Sequence, residues 1–140
     1  MATPGDYLAM ADLERTMQWQ YTEPECNATL RAGAAQVTCS YSVQNALSQA
    51  LGTGPYGGSR IDFTISDSLI RRIRNTFDHT LYGTEVLVPF TEWLDANHPG
   101  DSQVMFVVDE SDEVNRSLSP ESIALWAERV PEYEAFVAAG

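Results

Sequence analysis

The sequence contains no lysine, so arginine supplies all eight of its basic residues against twenty carboxylates. The resulting net charge of −12 argues against a nucleic-acid partner or an anionic membrane surface, because contacts to phosphate need a basic face. Nine of the carboxylates fall in residues 101–140, which hold only two arginines. Such a segment either imitates a nucleic-acid backbone or forms a solvated surface, and we favour the solvated surface.

Long apolar runs are also missing. No stretch approaches the roughly 20 apolar residues that span a bilayer, which excludes a membrane-spanning class. The first six residues, from Met1 to Asp6, lack the basic and then apolar pattern of a signal peptide. We therefore expect a soluble, cytoplasmic protein without a membrane partner.

Residues for metal and cofactor chemistry are scarce. The two cysteines and the two histidines, His79 and His98, match no usual spacing of a metal site. The sequence has no phosphate-binding glycine motif and no serine or cysteine nucleophile elbow. We expect no metal and no cofactor.

What is present predicts one domain over residues 1–140, with 101–140 as an acidic helical extension, because 44% apolar residues suffice for a core. Met10, Leu13 and Met17 recur at helical spacing after Asp6, a suitable N-cap, so a helix is expected over residues 6–21.

Further helices are predicted in the second half of the chain. Pro89 suits the first turn of a short helix, and Ser119 followed by Pro120 is typical of the start of a longer one. Pro131 is expected to kink or split that last helix. Residues 104–108 fit either a short strand or a buried extended segment.

A β-hairpin is predicted over residues 26–43. If Ala32 and Gly33 form a two-residue turn, apolar or cysteine residues of the two arms oppose each other on one face, and polar residues alternate with them. The opposed pairs are Leu30 with Ala35, Ala28 with Val37, and Cys26 with Cys39. Tyr41 and Val43 continue the same inner face.

A second hairpin follows a loop rich in glycine. Its arms are expected over residues 60–66 and 69–77, joined by a turn at Asp67 and Ser68. No single register places its isoleucines and Phe63 all on one face, so we expect a β-bulge near the turn. Sequential hairpins flanked by helices predict an α+β fold.

The order of these elements from Asp6 to Pro99 resembles the SnoaL-like branch of the nuclear transport factor 2-like superfamily. The segments that carry the resemblance are Val37-Thr38-Cys39-Ser40-Tyr41, Ala50-Leu51-Gly52, Phe63-Thr64-Ile65-Ser66-Asp67-Ser68-Leu69-Ile70 and Ile73-Arg74-Asn75-Thr76-Phe77-Asp78. The resemblance implies a curved antiparallel sheet that forms a cone with flanking helices around an apolar pocket.

The sequence departs from the family pattern in two ways. Ser68 replaces the family's turn glycine, so a residue with a side chain is expected where positive φ is favoured. The family also has two helices and a strand before the region that residues 6–21 match. We therefore expect one of two cases. The chain is a shortened version of the family fold, or the wall of the cone that these elements form in the family is supplied here by the C-terminal helix or by a second subunit.

The implied pocket has a phenol and an amide as its main polar groups. Tyr41 and Asn75 share the predicted inner face, so they either bond to each other or recognise a ligand. The full set of predicted ligand-contacting residues is Tyr41, Asn75, Val37, Cys39, Phe63, Ile73 and Phe77.

Two catalytic branches of the family require particular residues, which can be compared with those of this chain. The epoxide-hydrolase branch needs an aspartate where this chain has Asn75, and an amide cannot act as the acid or base. A steroid-isomerase mechanism lacks an inward base, because Asp62 alternates with inward residues and should face solvent. Asp78 and His79 at the end of the closing strand are the remaining candidate catalytic pair.

We therefore expect a protein that binds a small apolar molecule, with an isomerase, cyclase or dehydratase acting on an apolar cyclic substrate as the alternative. A homodimer is expected, and a module that dimerises through its sheet is a third hypothesis. Cys26 and Cys39 lie close enough for a disulfide, but a reducing cytoplasm favours two thiols.

Overall fold

The structure is a computed structural model that describes residues 3–140; Met1 and Ala2, part of the stretch without a signal-peptide pattern, lie outside it. The helices are α1 (Pro4–Thr16), α2 (Ala46–Leu51), α3 (Thr80–Tyr82), α4 (Val88–Asn97), α5 (Asp101–Met105) and α6 (Pro120–Ala138), with a π-helical turn at Gly83–Leu87. The strands are β1 (Gln20–Arg31), β2 (Ala34–Gln44), β3 (Tyr56–Ser66), β4 (Leu69–Thr76), β5 (Phe106–Val108) and β6 (Val114–Arg116).

The main sheet is an antiparallel meander in the order β1-β2-β3-β4, and β5 and β6 form a separate two-stranded hairpin. Helices flank this sheet, so the predicted α+β class is confirmed. The sheet is open, with β1 and β4 as its edges. The cone expected from the family resemblance stays a prediction.

The first hairpin has the predicted register. Cys26 lies opposite Cys39, and the two flanking pairs follow as expected. Ala32 and Gly33 form the turn with φ of 48° and 79°, the positive values that a tight hairpin turn requires. Nearer its start, β1 carries a register shift between Thr22 and Glu25.

The second hairpin contains the predicted bulge. The register of β3 and β4 shifts between Thr64 and Ile65, which places Ile65 opposite Ile70 and Phe63 opposite Ile73 on one face. Ser68 takes a φ of 61°, as expected for a residue in place of the turn glycine.

The first helix differs from its prediction at both ends. Its N-cap is Thr3, whose hydroxyl accepts a hydrogen bond from the Asp6 N–H, while the Asp6 carboxylate accepts one from the Thr3 N–H at 2.7 Å. This reciprocal capping box lets the helix begin earlier than an Asp6 cap would. The helix ends at Thr16 because Gln18 takes a left-handed φ of 52°, and Gln20 already belongs to β1.

The last helix begins as predicted, with Ser119 accepting a hydrogen bond from the Ser122 N–H at 3.2 Å. Of the kink or split expected at Pro131, the split does not occur, because one helix runs through that residue to Ala138. Residues 104–108 are divided between the end of α5 and β5, since the helix continues to Met105.

The core lies among the helices and at one end of the sheet. Phe90 is fully buried, and its ring lies 5.3 Å from that of Trp126 and 5.2 Å from that of Tyr133. Burial in the main sheet is confined to four residues near the helical end, namely Tyr41, Val43, Tyr56 and Ser59. Among residues 3–140, no layer buries the remaining apolar face of the sheet.

The expectation of two thiols is wrong. Cys26 and Cys39 form a disulfide, and neither cysteine of the chain is free. The two residues are directly opposed on neighbouring strands with their Cα atoms 4.0 Å apart, so the hairpin register itself brings the sulfur atoms together. The prediction of two thiols rested on the expectation of a reducing cytoplasm, and a reducing compartment does not favour a disulfide.

Candidate ligand-binding cleft

An open cavity of about 1170 Å³ lies among the helices, and we call it the helical cleft. Its walls come from α1, from the segment between the end of the sheet and α4, and from the β5–β6 hairpin. Cavities of this size accommodate drug-sized ligands. The lining is mainly apolar, with Met10, Leu13, Trp19, Phe77, Tyr82, Leu87, Val88, Phe106, Val108, Val114 and Leu118.

Three aromatic rings form the inner wall. The Trp19 indole lies 5.7 Å from the Phe77 ring and 5.8 Å from the Tyr82 ring, centroid to centroid. The Tyr82 hydroxyl accepts a hydrogen bond from Asn45 Nδ2 at 2.6 Å, and Asn45 also caps α2. Burial raises the pKa of Tyr82, so this phenol stays protonated at neutral pH. The three rings of this wall are thus packed together and uncharged.

Another part of the lining is the π-helical turn, which directly follows Tyr82. Gly83, Thr84 and Leu87 of this turn line the cleft, followed by Val88 and Thr91 of α4. A π-helical turn widens the helix locally, and such turns occur frequently at functional sites. It directs the apolar side chain of Leu87 to the cleft without breaking the helical run into α4.

The β5–β6 hairpin closes the outer side. Phe106 and Val108 of β5 and Val114 of β6 line the cleft. The turn is held by Asp109, whose carboxylate accepts hydrogen bonds from the Ser111 hydroxyl at 2.6 Å and its N–H at 2.8 Å. These bonds, the Ser111 hydroxyl first, lower the pKa of Asp109 below its usual value.

Arg116 is the cation of the cleft. Its guanidinium carbon lies 4.8 Å from the centre of the Trp19 ring, a cation–π contact, and Nη1 lies 3.2 Å from the Met17 sulfur. Within residues 3–140, no carboxylate lies at salt-bridge distance from this guanidinium. Its charge is therefore available to an acceptor group of a ligand.

Carboxylates lie around the same cleft, on α1, on α4 and directly before β6. One of them, Glu14, accepts a hydrogen bond from the Tyr21 hydroxyl at 2.7 Å. Burial, together with this bond, raises the pKa of Tyr21. The other three are Glu92, Asp95 and Glu113.

Of the nine sequence-predicted site residues, the helical cleft contains two, Phe77 and His79. The other side chains lie on the main sheet or at its end and are not part of the cleft lining: Tyr41, Asn75, Val37, Cys39, Phe63, Ile73 and Asp78. The prediction followed the inner face of the sheet, whereas the cavity lies beyond the end of that face.

Tyr41 and Asn75 bond to each other. The Tyr41 hydroxyl donates to Asn75 Oδ1 at 2.6 Å, which is the first of the two alternatives for this pair. Burial raises the pKa of Tyr41, so the donor keeps its proton. The bond satisfies the Tyr41 hydroxyl and the Asn75 amide oxygen inside the protein.

Asp78 and His79 line different cavities. His79 lies at the helical cleft, where its ring packs edge-on against Phe77 with the centroids 4.6 Å apart. Asp78 lines a second cavity of about 260 Å³, and its carboxylate accepts a hydrogen bond from the Thr80 N–H at 3.1 Å. That bond lowers the pKa of Asp78. The geometry does not bring the two residues together over one substrate site.

Sequence reasoning missed Trp19, Tyr82 and Arg116. Trp19 fell inside an overlong predicted helix, and Arg116 lay in a segment treated as a solvated surface. A local signal exists for Arg116, since it is one of only two basic residues among the nine carboxylates of residues 101–140. Its place in a cavity depends on the packing of the hairpin.

Residues 3–140 contain no group of three or more histidine, cysteine, aspartate or glutamate side chains arranged to hold a metal ion. None of the helices in this range combines the length and the apolar character that a membrane crossing needs. Comparison with family models, with curated proteins and with solved structures finds no match for the chain.

Proposed function

We propose that this protein binds a small, mainly apolar molecule in the helical cleft, with an acceptor group of that molecule directed to Arg116. The observation that carries the proposal is an open cavity of about 1170 Å³ whose lining is mainly apolar and whose one arginine lacks a carboxylate partner within residues 3–140. An apolar cavity with few polar groups is the usual form of a small-molecule site.

The physical basis of binding is that apolar surface of both the ligand and the cleft is removed from water. Each Å² of apolar surface that leaves water contributes about 25 cal/mol, so a ligand of a few rings gains several kcal/mol before ordering costs. Trp19, Phe77 and Tyr82 are already packed against one another, so the inner wall needs little reorganisation on binding. The proposal places the ligand in this cleft and not inside a cone formed by the sheet.

Binding is favoured over the isomerase, cyclase or dehydratase alternative. His79 contacts Phe77 at the cleft, while the neighbouring Asp78 carboxylate accepts a bond from Thr80 and lines the second cavity. An acid–base pair would need both groups within reach of one substrate. Asp78 and His79 therefore do not form such a pair at the cleft.

The test uses N-phenyl-1-naphthylamine, a neutral apolar fluorophore, titrated into the purified protein. Val114 lines the cleft with 65% of its side chain exposed, so Val114→Lys places a charge on the apolar wall without disturbing the core. We expect this variant to weaken probe binding by about tenfold or more, because a lysine charge is costly to desolvate. Fluorescence enhancement reports the affinity.

Two control variants separate the cleft from other apolar surfaces. Val107 lies on the same hairpin, is 47% exposed and does not line the cleft, so Val107→Lys should leave the affinity within about twofold. Ile73→Lys changes the exposed sheet face and should have as little effect. Binding that survives Val114→Lys but disappears in Ile73→Lys would refute the proposal.

A further inference from the structure

One face of the main sheet is apolar and uncovered over most of its length. By strand register, this distal sheet face consists of Ala28, Leu30, Ala35, Val37, Phe63, Ile65, Ile70 and Ile73. None of the eight residues is buried, and Leu30, Ile70 and Ile73 are 83%, 57% and 58% exposed. The opposite face of the same strands is polar. The sheet therefore has one face of the kind that normally packs against a core, but none of the eight residues of this face is buried within residues 3–140.

The size of the face fits an interaction surface. Four strands about 4.8 Å apart and about six residues long give a footprint on the order of 400 Å². The largest apolar patch on a soluble monomer is typically of this size, and such a patch is often functional. The faces of two copies together amount to about 800 Å², which approaches the roughly 1,000 Å² at which specific interfaces begin.

Both edge strands of the sheet carry features that prevent pairing with a strand of another chain, whereas the distal sheet face carries no comparable protection. Edge strand β1 contains Pro24 within a register break, flanked by Glu23 and Glu25. Edge strand β4 carries Arg71, Arg72 and Arg74. Proline, bulges and charges are the features that prevent edge-to-edge pairing of strands.

The distribution of charge favours a second copy of this chain as the occupant. Residues 20–77 hold four carboxylates and five arginines, whereas the rest of the chain holds sixteen carboxylates and three arginines. The distal sheet face itself contains no charged residue. Two copies can therefore meet through their sheets without repulsion, provided that their strongly negative helical parts lie apart.

We infer that two copies of this protein pack face to face through the distal sheet face, with strand directions reversed so that the helical parts lie at opposite ends. Two sheets of the same twist stack well, with their strands inclined by about 30° and their apolar side chains interdigitated. The contact supplies the second layer that an apolar sheet face needs for stability in water. This inference is independent of the ligand site, which lies in the helical cleft.

Sedimentation velocity of the full chain over a concentration series tests the dimer. The wild type should sediment as a species of twice 15.5 kDa. Ile73→Lys puts a charge into the proposed contact, on the β4 side of the face, and should raise the dissociation constant about 100-fold or more, because the lysine has no partner there. Gln36→Lys, on the polar face of β2, is the matched control and should leave the dimer intact.

Cysteine cross-linking identifies the surface. Both native cysteines are bonded, so Val37→Cys and Gln36→Cys each introduce one thiol, on opposite faces of β2. A bismaleimide should link Val37→Cys into covalent dimers and leave Gln36→Cys monomeric. A wild type that remains monomeric at every concentration, or a dimer that withstands Ile73→Lys and cross-links equally at both positions, would overturn the inference.

Discussion

Arg116 shows how one side chain acquires a role from its surroundings. It lies over the Trp19 ring and beside the Met17 sulfur, both of which leave its positive charge uncompensated. A guanidinium that is held by an aromatic ring is already positioned for an acceptor, so a ligand loses little entropy in meeting it.

This placement predicts which ligands depend on Arg116. 1-Anilinonaphthalene-8-sulfonate adds an anionic acceptor to the ring system of the neutral probe. We expect Arg116→Met to weaken binding of the sulfonate by about tenfold or more, since a charge-assisted hydrogen bond contributes about 1.5–3 kcal/mol. Binding of N-phenyl-1-naphthylamine should change by less than about twofold. Fluorescence titration of both probes measures the difference, and equal losses for the two would contradict a specific role.

At the scale of the element, the β5–β6 hairpin forms the outer wall of the cleft from only three residues in each strand. An isolated two-stranded hairpin is marginally stable in water, so its turn must contribute. Asp109 accepts bonds from Ser111 and from the Glu113 N–H at 3.1 Å, and a further bond from the Asn115 side chain at 3.1 Å.

The hairpin should therefore loosen in acid. The pKa of Asp109 is lower in the folded protein than the usual value of about 3.9. Its contribution to stability is accordingly present above that value and is lost as the pH falls through the lower folded pKa. NMR titration of the Ser111 and Glu113 amide protons should give a midpoint below about 3.9.

Variants of Asp109 complete this test. Asp109→Ala should speed hydrogen exchange of the amides in residues 106–116 at neutral pH and leave those of α6 unchanged, because the helix does not depend on the turn. A titration midpoint at or above the usual aspartate value, or exchange unaltered by Asp109→Ala, would contradict the assigned role of the carboxylate.

At the scale of the whole molecule, the protein has two differently stabilised parts. The helical part is held by a buried aromatic cluster in which Phe90, Trp126 and Tyr133 are in ring contact. The far half of the main sheet has no buried residues, and its cross-link is the Cys26–Cys39 disulfide.

Removing the disulfide should thus be costly for the sheet. The bond closes a loop with a sequence separation of 13, for which loop-closure entropy gives a contribution of about 3 kcal/mol. We expect the double variant Cys26→Ser with Cys39→Ser to lower the free energy of unfolding by about 2–3 kcal/mol in urea titrations. Reductant should bring the wild type to the same value and leave the variant unchanged; a variant as stable as the oxidised wild type would refute this.

The hairpins could be predicted from sequence because their signals are local. Alternation of apolar and polar residues has a period of two, so it determined that Cys26 faces Cys39 and that a bulge must lie near Ser68. Ser119 and Pro120 likewise determined where α6 begins. The extent of α1 was missed because its true cap, Thr3, lies before the apolar pattern, and its end depends on the backbone of Gln18.

The sequence by itself thus determined the α+β class, the strand register and which face of the sheet is apolar, since these follow from contacts between residues close along the chain. Only the tertiary structure decided where the cavity lies. Arg116 and Trp19 are far apart in sequence, and they meet because the hairpin folds back over the start of β1. Long-range packing of this kind leaves no periodic signal, so the sequence-based prediction placed the pocket on the sheet face and not in the helical cleft.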